Sequence, residues 1–211
     1  EVPRDASKYA IVDCEVGMKD KRVHDIGALR GDGMTFHSAD KHALKLFLDG
    51  VDYLCGHNII HHDAKYLFGE GTGKWILVDT LYVSPLLFPE RPYHRLLKDD
   101  KLVSEQMNNP LNDCEKARDL LMEEASAWNA LSERKQRIYA TLLHNVPEFK
   151  GFLEFVGAKA VDEVQLPESV REEYKGKICA HADVAGIMVQ QPAELAFALA
   201  LIDTSDYRSV T

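Results

Sequence analysis

A chain of 211 residues has room for one substantial domain, or for one domain with a helical annex. Its 45% apolar and 28% charged residues are an ordinary globular composition, which argues against intrinsic disorder. Net charge is −9, and both the part up to Cys114 (14 basic, 18 acidic) and the part after it (11 and 16) are acidic, which argues against a duplex-coating protein with a broad cationic face. Residues 1–6 read as an arm. Residues 196–202, the longest apolar run near the C-terminus, are far too few to span a membrane, and no signal segment is read at the start. Cys14, Cys55, Cys114 and Cys179 stand 41, 59 and 65 residues apart, without zinc-type spacing. Reduced thiols and a cytoplasmic location are the expectation.

In chain order, residues 9–12 form a β-branched apolar run that stops at Asp13. Residues 22–29 read as a second strand, and Gly31-Asp32-Gly33 turns the chain into a third at 34–37. Ala43, Leu44, Phe47 and Leu48 give residues 40–48 helical spacing. Residues 51–55 suit a buried strand, 60–68 a helix, 75–78 a strand and 80–87 a helix. This meander followed by alternating helix and strand predicts an α/β fold with a mixed sheet. After about Leu111 the pattern is helical, with Pro147 and Pro192 as helix-start prolines. The aromatic stripes of this half, such as Phe149, Phe152 and Phe155, read as core.

Four acids stand out by position. Asp13 and Glu15 are alternate residues at the end of the first strand, so both can face one site. Asp63 follows Cys55-Gly56-His57-Asn58, and Asp113 starts a helix after Asn112. Singly, each suits a cap or a turn. Carboxylates gathered together repel unless a cation joins them, and hard divalent ions such as Mg²⁺ or Mn²⁺ match their oxygens. Two such ions about 4 Å apart suit phosphodiester hydrolysis.

Residues 11–17 with 24–29, residues 54–63 and residues 113–121 resemble, in order, the three exonuclease motifs of the DEDD superfamily. These motifs are Asp-x-Glu on a strand followed by an Ile-Gly-Ala strand, Gly-His-Asn followed by Asp, and an Asp opening a helix. The resemblance covers roughly residues 7–125. It implies a ribonuclease H-like mixed β-sheet flanked by helices, two Mg²⁺ or Mn²⁺ ions, and removal of nucleotides from a single-stranded 3′ end of DNA or RNA. It further implies that Asp13 contacts both metals, Glu15 holds one, Asp63 binds the second directly or through water, and Asp113 completes the first site. Val16, Gly17 and Met18 are then expected beside the terminal nucleotide, and Asn58 is expected to orient backbone or substrate.

The chain departs from the family at the general base. The histidine branch carries His five residues before the last Asp, where this chain has Asn108. The tyrosine branch carries Tyr four before it, where this chain has Asn109. An amide takes no proton from water near neutral pH, and loss of a general base costs ~10²–10⁴-fold. Asn108 is therefore grouped with the substrate-binding residues. His94, His61 and His62 are the candidate substitutes. The alternative function is a catalytically weakened fold that binds a nucleic-acid end or docks a helicase.

Gly69 to Lys74 lacks phosphate-loop spacing and reads as a turn. Asp79 before Thr80-Leu81 reads as a helix cap, and Cys14 as a core thiol. Residues 126–211 are expected to be a helical extension. They resemble the N-terminal region of bacterial RecQ-like helicases, which implies a linked motor beyond Thr211. No membrane partner is expected.

Overall fold

The computed structural model describes residues 5–69, 71–96, 109–160 and 163–204. Its sheet contains β1 (Tyr9–Val16), β2 (Val23–Arg30), β3 (Thr35–His37), β4 (Tyr53–Gly56) and β5 (Ile76–Asp79), in the order β3-β2-β1-β4-β5. The first three strands form an antiparallel meander, and β4 and β5 run parallel to β1. The helices are α1 (Lys41–Phe47), α2 (Asp63–Phe68), α3 (Thr80–Leu87), α4 (Pro110–Ala130), α5 (Glu133–Leu143), α6 (Pro147–Phe155), α7 (Leu166–Glu173), α8 (Val184–Gln190) and α9 (Pro192–Ile202). The α/β class, the mixed sheet and the helical C-terminal half all match the sequence expectation. Among the described residues, no helix is long and apolar enough to cross a membrane.

Strand alternation divides the core between the two faces of the sheet. Ala10, Val12 and Cys14 of β1 join Ile26, Ala28 and Leu54 on one face, under Leu44 of α1 and Leu67 of α2. Tyr9, Ile11, Leu29, Cys55 and Val78 lie on the other face, with Cys114, Leu121, Phe149, Phe152 and Phe155 of the later helices. Cys14 is thus a core thiol facing away from Asp13 and Glu15, as alternation requires.

Three boundaries differ from the sequence reading, one being the start of α4, expected at Asp113 and found at Pro110. The first strand continues past Asp13 to Val16, because its ladder with β2 continues while its polar side chains face a cleft. The helix expected from Ile60 begins at Asp63, because residues 57–62 form a turn.

The division expected between residues 125 and 126 falls inside α4. Helices beyond it complete the sheet's core. Phe155 of α6 packs edge-on against Tyr9 of β1 and Tyr53 of β4, with ring centroids 5.6 and 5.4 Å away. A Cβ on Gly151 would stand 1.7 Å from the Leu77 carbonyl oxygen, so α6 crosses β5 at a separation only glycine permits. Further out, the buried hydroxyls of Tyr139 in α5 and Tyr174 just after α7 are hydrogen-bonded at 2.9 Å.

Glu124 of α4 is wholly buried, and neither carboxyl oxygen has a hydrogen-bond partner among the described residues. Burial holds its pKa well above the usual carboxylate value of 4.5. With the folded-state value raised, this group's contribution is fully present below the unfolded value. It is lost as pH rises toward the folded value. Unfolding free energy, measured by urea denaturation between about pH 5 and 8, is therefore expected to fall more steeply with pH in the wild type than in Glu124→Gln. Identical slopes would contradict a buried neutral acid.

Candidate functional site

The parallel strands end at one edge of the sheet, where the polar ends of β1 and β4 meet the first turn of α4. Asn109 is the N-cap of α4 and accepts a hydrogen bond from the Leu111 N–H at 3.0 Å; Pro110 starts the helix. Asp113 follows within the first turn. Gly27 of β2 is paired with Asp13 of β1. A Cβ on Gly27 would stand 2.5 Å from the Pro110 carbonyl carbon, so its absence lets the helix N-terminus settle over the strands at Asp13. The β1–β2 register shifts between Glu15 and Val16, a bulge at the mouth of the site.

Together these features converge three of the four expected carboxylates. Oxygens of Asp13, Glu15 and Asp113 lie within 4.8 Å of one another, and all three residues are partly buried. Ionised pairs at that separation repel by roughly 3 kcal/mol at an effective dielectric of about 20, before screening by water. A cation shared among the oxygens would turn the repulsion into attraction, and the donor set suits a hard divalent ion.

Asp63 lines the same cleft but is not part of the triad. It is buried at the start of α2, where its Oδ1 accepts a hydrogen bond from the Cys14 N–H at 3.0 Å. His62 Nδ1 stands 3.6 Å from the same oxygen. The Asp63 carboxylate holds the His62 pKa above its ordinary value against the effect of burial. Cys14, His62 and Asp63 also form a cluster of metal-ligand type, in which burial and the adjacent carboxylate push the Cys14 thiol far up.

The cleft has a volume of about 450 Å³. Beside the four acids, its lining includes Val16, Asn58, His57, His62, Leu81, Arg95 and Leu96. Arg95 is the single Lys or Arg among the described lining residues. Gly17 and Met18, expected beside a terminal nucleotide, lie in the β1–β2 turn and do not line the cleft. Met18 is 85% exposed. A Cβ on Gly17 would stand 2.1 Å from Asp20 Oδ1 and 2.5 Å from His24 Nε2, both at the ends of exposed side chains. Asn108 lies outside the described residues.

The candidate substitutes for the general base are placed as follows. His61 Nε2 pairs with Glu148 Oε1 of α6 at 3.1 Å. His94 Nδ1 is 2.9 Å from Ser84 Oγ, and burial lowers its pKa. Neither lines the cleft; His62 does.

Two residues that the motif reading passed over organise the site. Asp79 is fully buried and caps α3 by accepting from the Leu81 N–H at 3.0 Å. Its carboxylate also accepts from the N–H groups of Asn58 at 2.9 Å and Ile60 at 3.1 Å. These bonds hold Asn58 in the left-handed region, at φ 70°. The cap was legible in the sequence, whereas the clamp on the preceding loop needed the fold. The second residue is His57, a cleft-wall imidazole from the Gly-His-Asn motif.

No protein-family model matches the chain, and neither does any curated protein or solved structure.

The close approach at Gly27 yields a direct test. Gly27→Ala is expected to push the start of α4 outward and cost about 1–3 kcal/mol of stability by overpacking. Mn²⁺ affinity, followed by calorimetry under folded conditions, is expected to fall roughly 10–100-fold. Unchanged stability and affinity would show that the helix start does not position Asp113.

Proposed function

We propose that this chain is a divalent-metal-dependent 3′–5′ exonuclease that hydrolyses phosphodiester bonds at single-stranded nucleic-acid ends, with DNA preferred over RNA. The observation that carries the reading is the convergence of Asp13, Glu15 and Asp113, brought from β1 and α4 to within 4.8 Å. Support also comes from the sheet. Its β3-β2-β1-β4-β5 order, with three antiparallel strands followed by two parallel to the first, is compatible with a ribonuclease H-like fold.

In this reading Asp13, Glu15 and Asp113 would hold one divalent ion. Asp13 and Asp63 would hold a second, Asp63 directly or through water. Two Mg²⁺ or Mn²⁺ ions would supply a water of lowered pKa and charge compensation at the phosphate. Arg95, at the rim of an otherwise acidic cleft, faces the phosphate backbone. Val16 and Leu81 give the nucleotide an apolar wall, and Asn58 orients its backbone.

A second reading keeps the fold and the nucleic-acid end but not the cutting: an end-binding or helicase-docking module. The observation favouring it is that Asn109, at the position of the tyrosine-branch base, is engaged as a helix cap.

Incubation with 3′-labelled and 5′-labelled single-stranded DNA and RNA separates the two. The exonuclease reading predicts stepwise shortening from the 3′ end that needs Mg²⁺ or Mn²⁺. Asp13→Ala and Asp113→Ala should each reduce it at least ~100-fold, the effect of losing several kcal/mol of transition-state stabilisation. Measurable end binding by folded protein, with no cleavage under either metal, would establish the second reading in its place.

A further inference from the structure

His57 stands one residue past the end of β4. Ile11 and Cys55 are partners in the parallel β1–β4 register, and both enter the core cluster under α4. His57 follows two residues after that pair, at the strand's end, and lines the same cleft as Asp13. The imidazole therefore belongs to the wall of the carboxylate cleft, where Leu81 and Leu96 also lie.

His57 Nδ1 is 2.9 Å from Thr80 Oγ1, and the Thr80 hydroxyl donates to the Gly56 carbonyl at 3.4 Å. With that proton directed at the carbonyl, Nδ1–H would donate to Thr80 and Nε2 would carry the lone pair; a Thr80 hydroxyl donating to Nδ1 would instead leave the proton on Nε2, and the ¹⁵N signal of the free protein separates the two. Nε2 is buried and has no hydrogen-bond partner among the described residues. Such a bare acceptor is costly unless a ligand supplies the donor.

Burial holds the His57 pKa down to about 4, so the ring stays neutral near pH 7 and is a weak proton acceptor there. Its chemistry is that of a fixed hydrogen-bond acceptor. Within the nucleic-acid reading above, on which this inference rests, the phosphate belongs beside the triad. The sugar is the group bonded directly to that phosphate. It is also the hydroxyl-bearing group that suits an acceptor set among apolar side chains.

We propose that His57 Nε2 accepts a hydrogen bond from a hydroxyl of the terminal sugar bound in the cleft, and so selects ligands that carry it. The hydroxyl is the 2′ or the 3′ group, and the test separates them. The full chain with Mg²⁺ is titrated with four nucleoside 5′-monophosphates of one base, carrying ribose, 2′-deoxyribose, 3′-deoxyribose or 2′,3′-dideoxyribose. Dissociation constants are measured together with the ¹⁵N signal of His57 Nε2.

The free protein should show an unprotonated Nε2 without a hydrogen bond. At least one of the singly deoxygenated sugars should shift it toward the hydrogen-bonded range, and the dideoxy sugar should not. Wild type should bind that sugar roughly tenfold tighter than the dideoxy one, and His57→Phe should reduce the preference to about twofold or less. Should the variant misfold, the wild-type Nε2 signal alone decides. Equal binding of all four ligands with an unmoved signal would overturn the inference and leave the exonuclease reading standing. No binding of any nucleotide by folded wild type would overturn both.

Discussion

The N-terminal turn of α4 lies against β2 at Gly27, and the site depends on that contact. Gly27 is the ladder partner of Asp13, so the missing side chain opens a space next to the strand position that carries the first acid. Asn109 and Pro110 start the helix at that point, and Asp113 then falls beside Asp13 and Glu15. A bulkier residue at Gly27 would separate the acids without altering any of them.

The opposite wall is held by a second buried carboxylate. Asp79 ends β5, caps α3 and binds two N–H groups of the turn after β4. One group thereby fixes the start of α3 relative to the loop that carries His57 and Asn58. The helical half reinforces this frame. Phe155 locks α6 to β1 and β4, and Gly151 lets the helix touch β5. His61 and Glu148 join the same loop to α6. The later helices therefore form part of the layer that holds the site.

Much of this was legible in the sequence because it rests on periodicity. The alternation of Ile11, Asp13 and Glu15 foretold a shared polar face, and Asp79 marked a helix start, whereas the helix read as starting at Asp113 begins a turn earlier, at Pro110. The illegible features arise from long-range juxtaposition. Asp63 reads as the acid of the second metal, directly or through water; that its carboxylate also bonds the Cys14 backbone has no sequence signal. Gly17 reads as a substrate-facing residue, and it lies in the β1–β2 turn outside the cleft lining. The Glu124 oxygens and the His57 Nε2, which have no hydrogen-bond partners among the described residues, have no one-dimensional signature, because burial and partnership are properties of the assembled layers.

The central claim is that Asp13, Glu15 and Asp113 form one divalent-cation site. Calorimetric titration of the folded chain with Mn²⁺ tests it most directly, with the double variant Asp13→Ala/Asp113→Ala alongside. The account predicts saturable binding by the wild type that is abolished in the folded variant. Equal binding by both proteins, or none by the wild type at millimolar Mn²⁺, would contradict it.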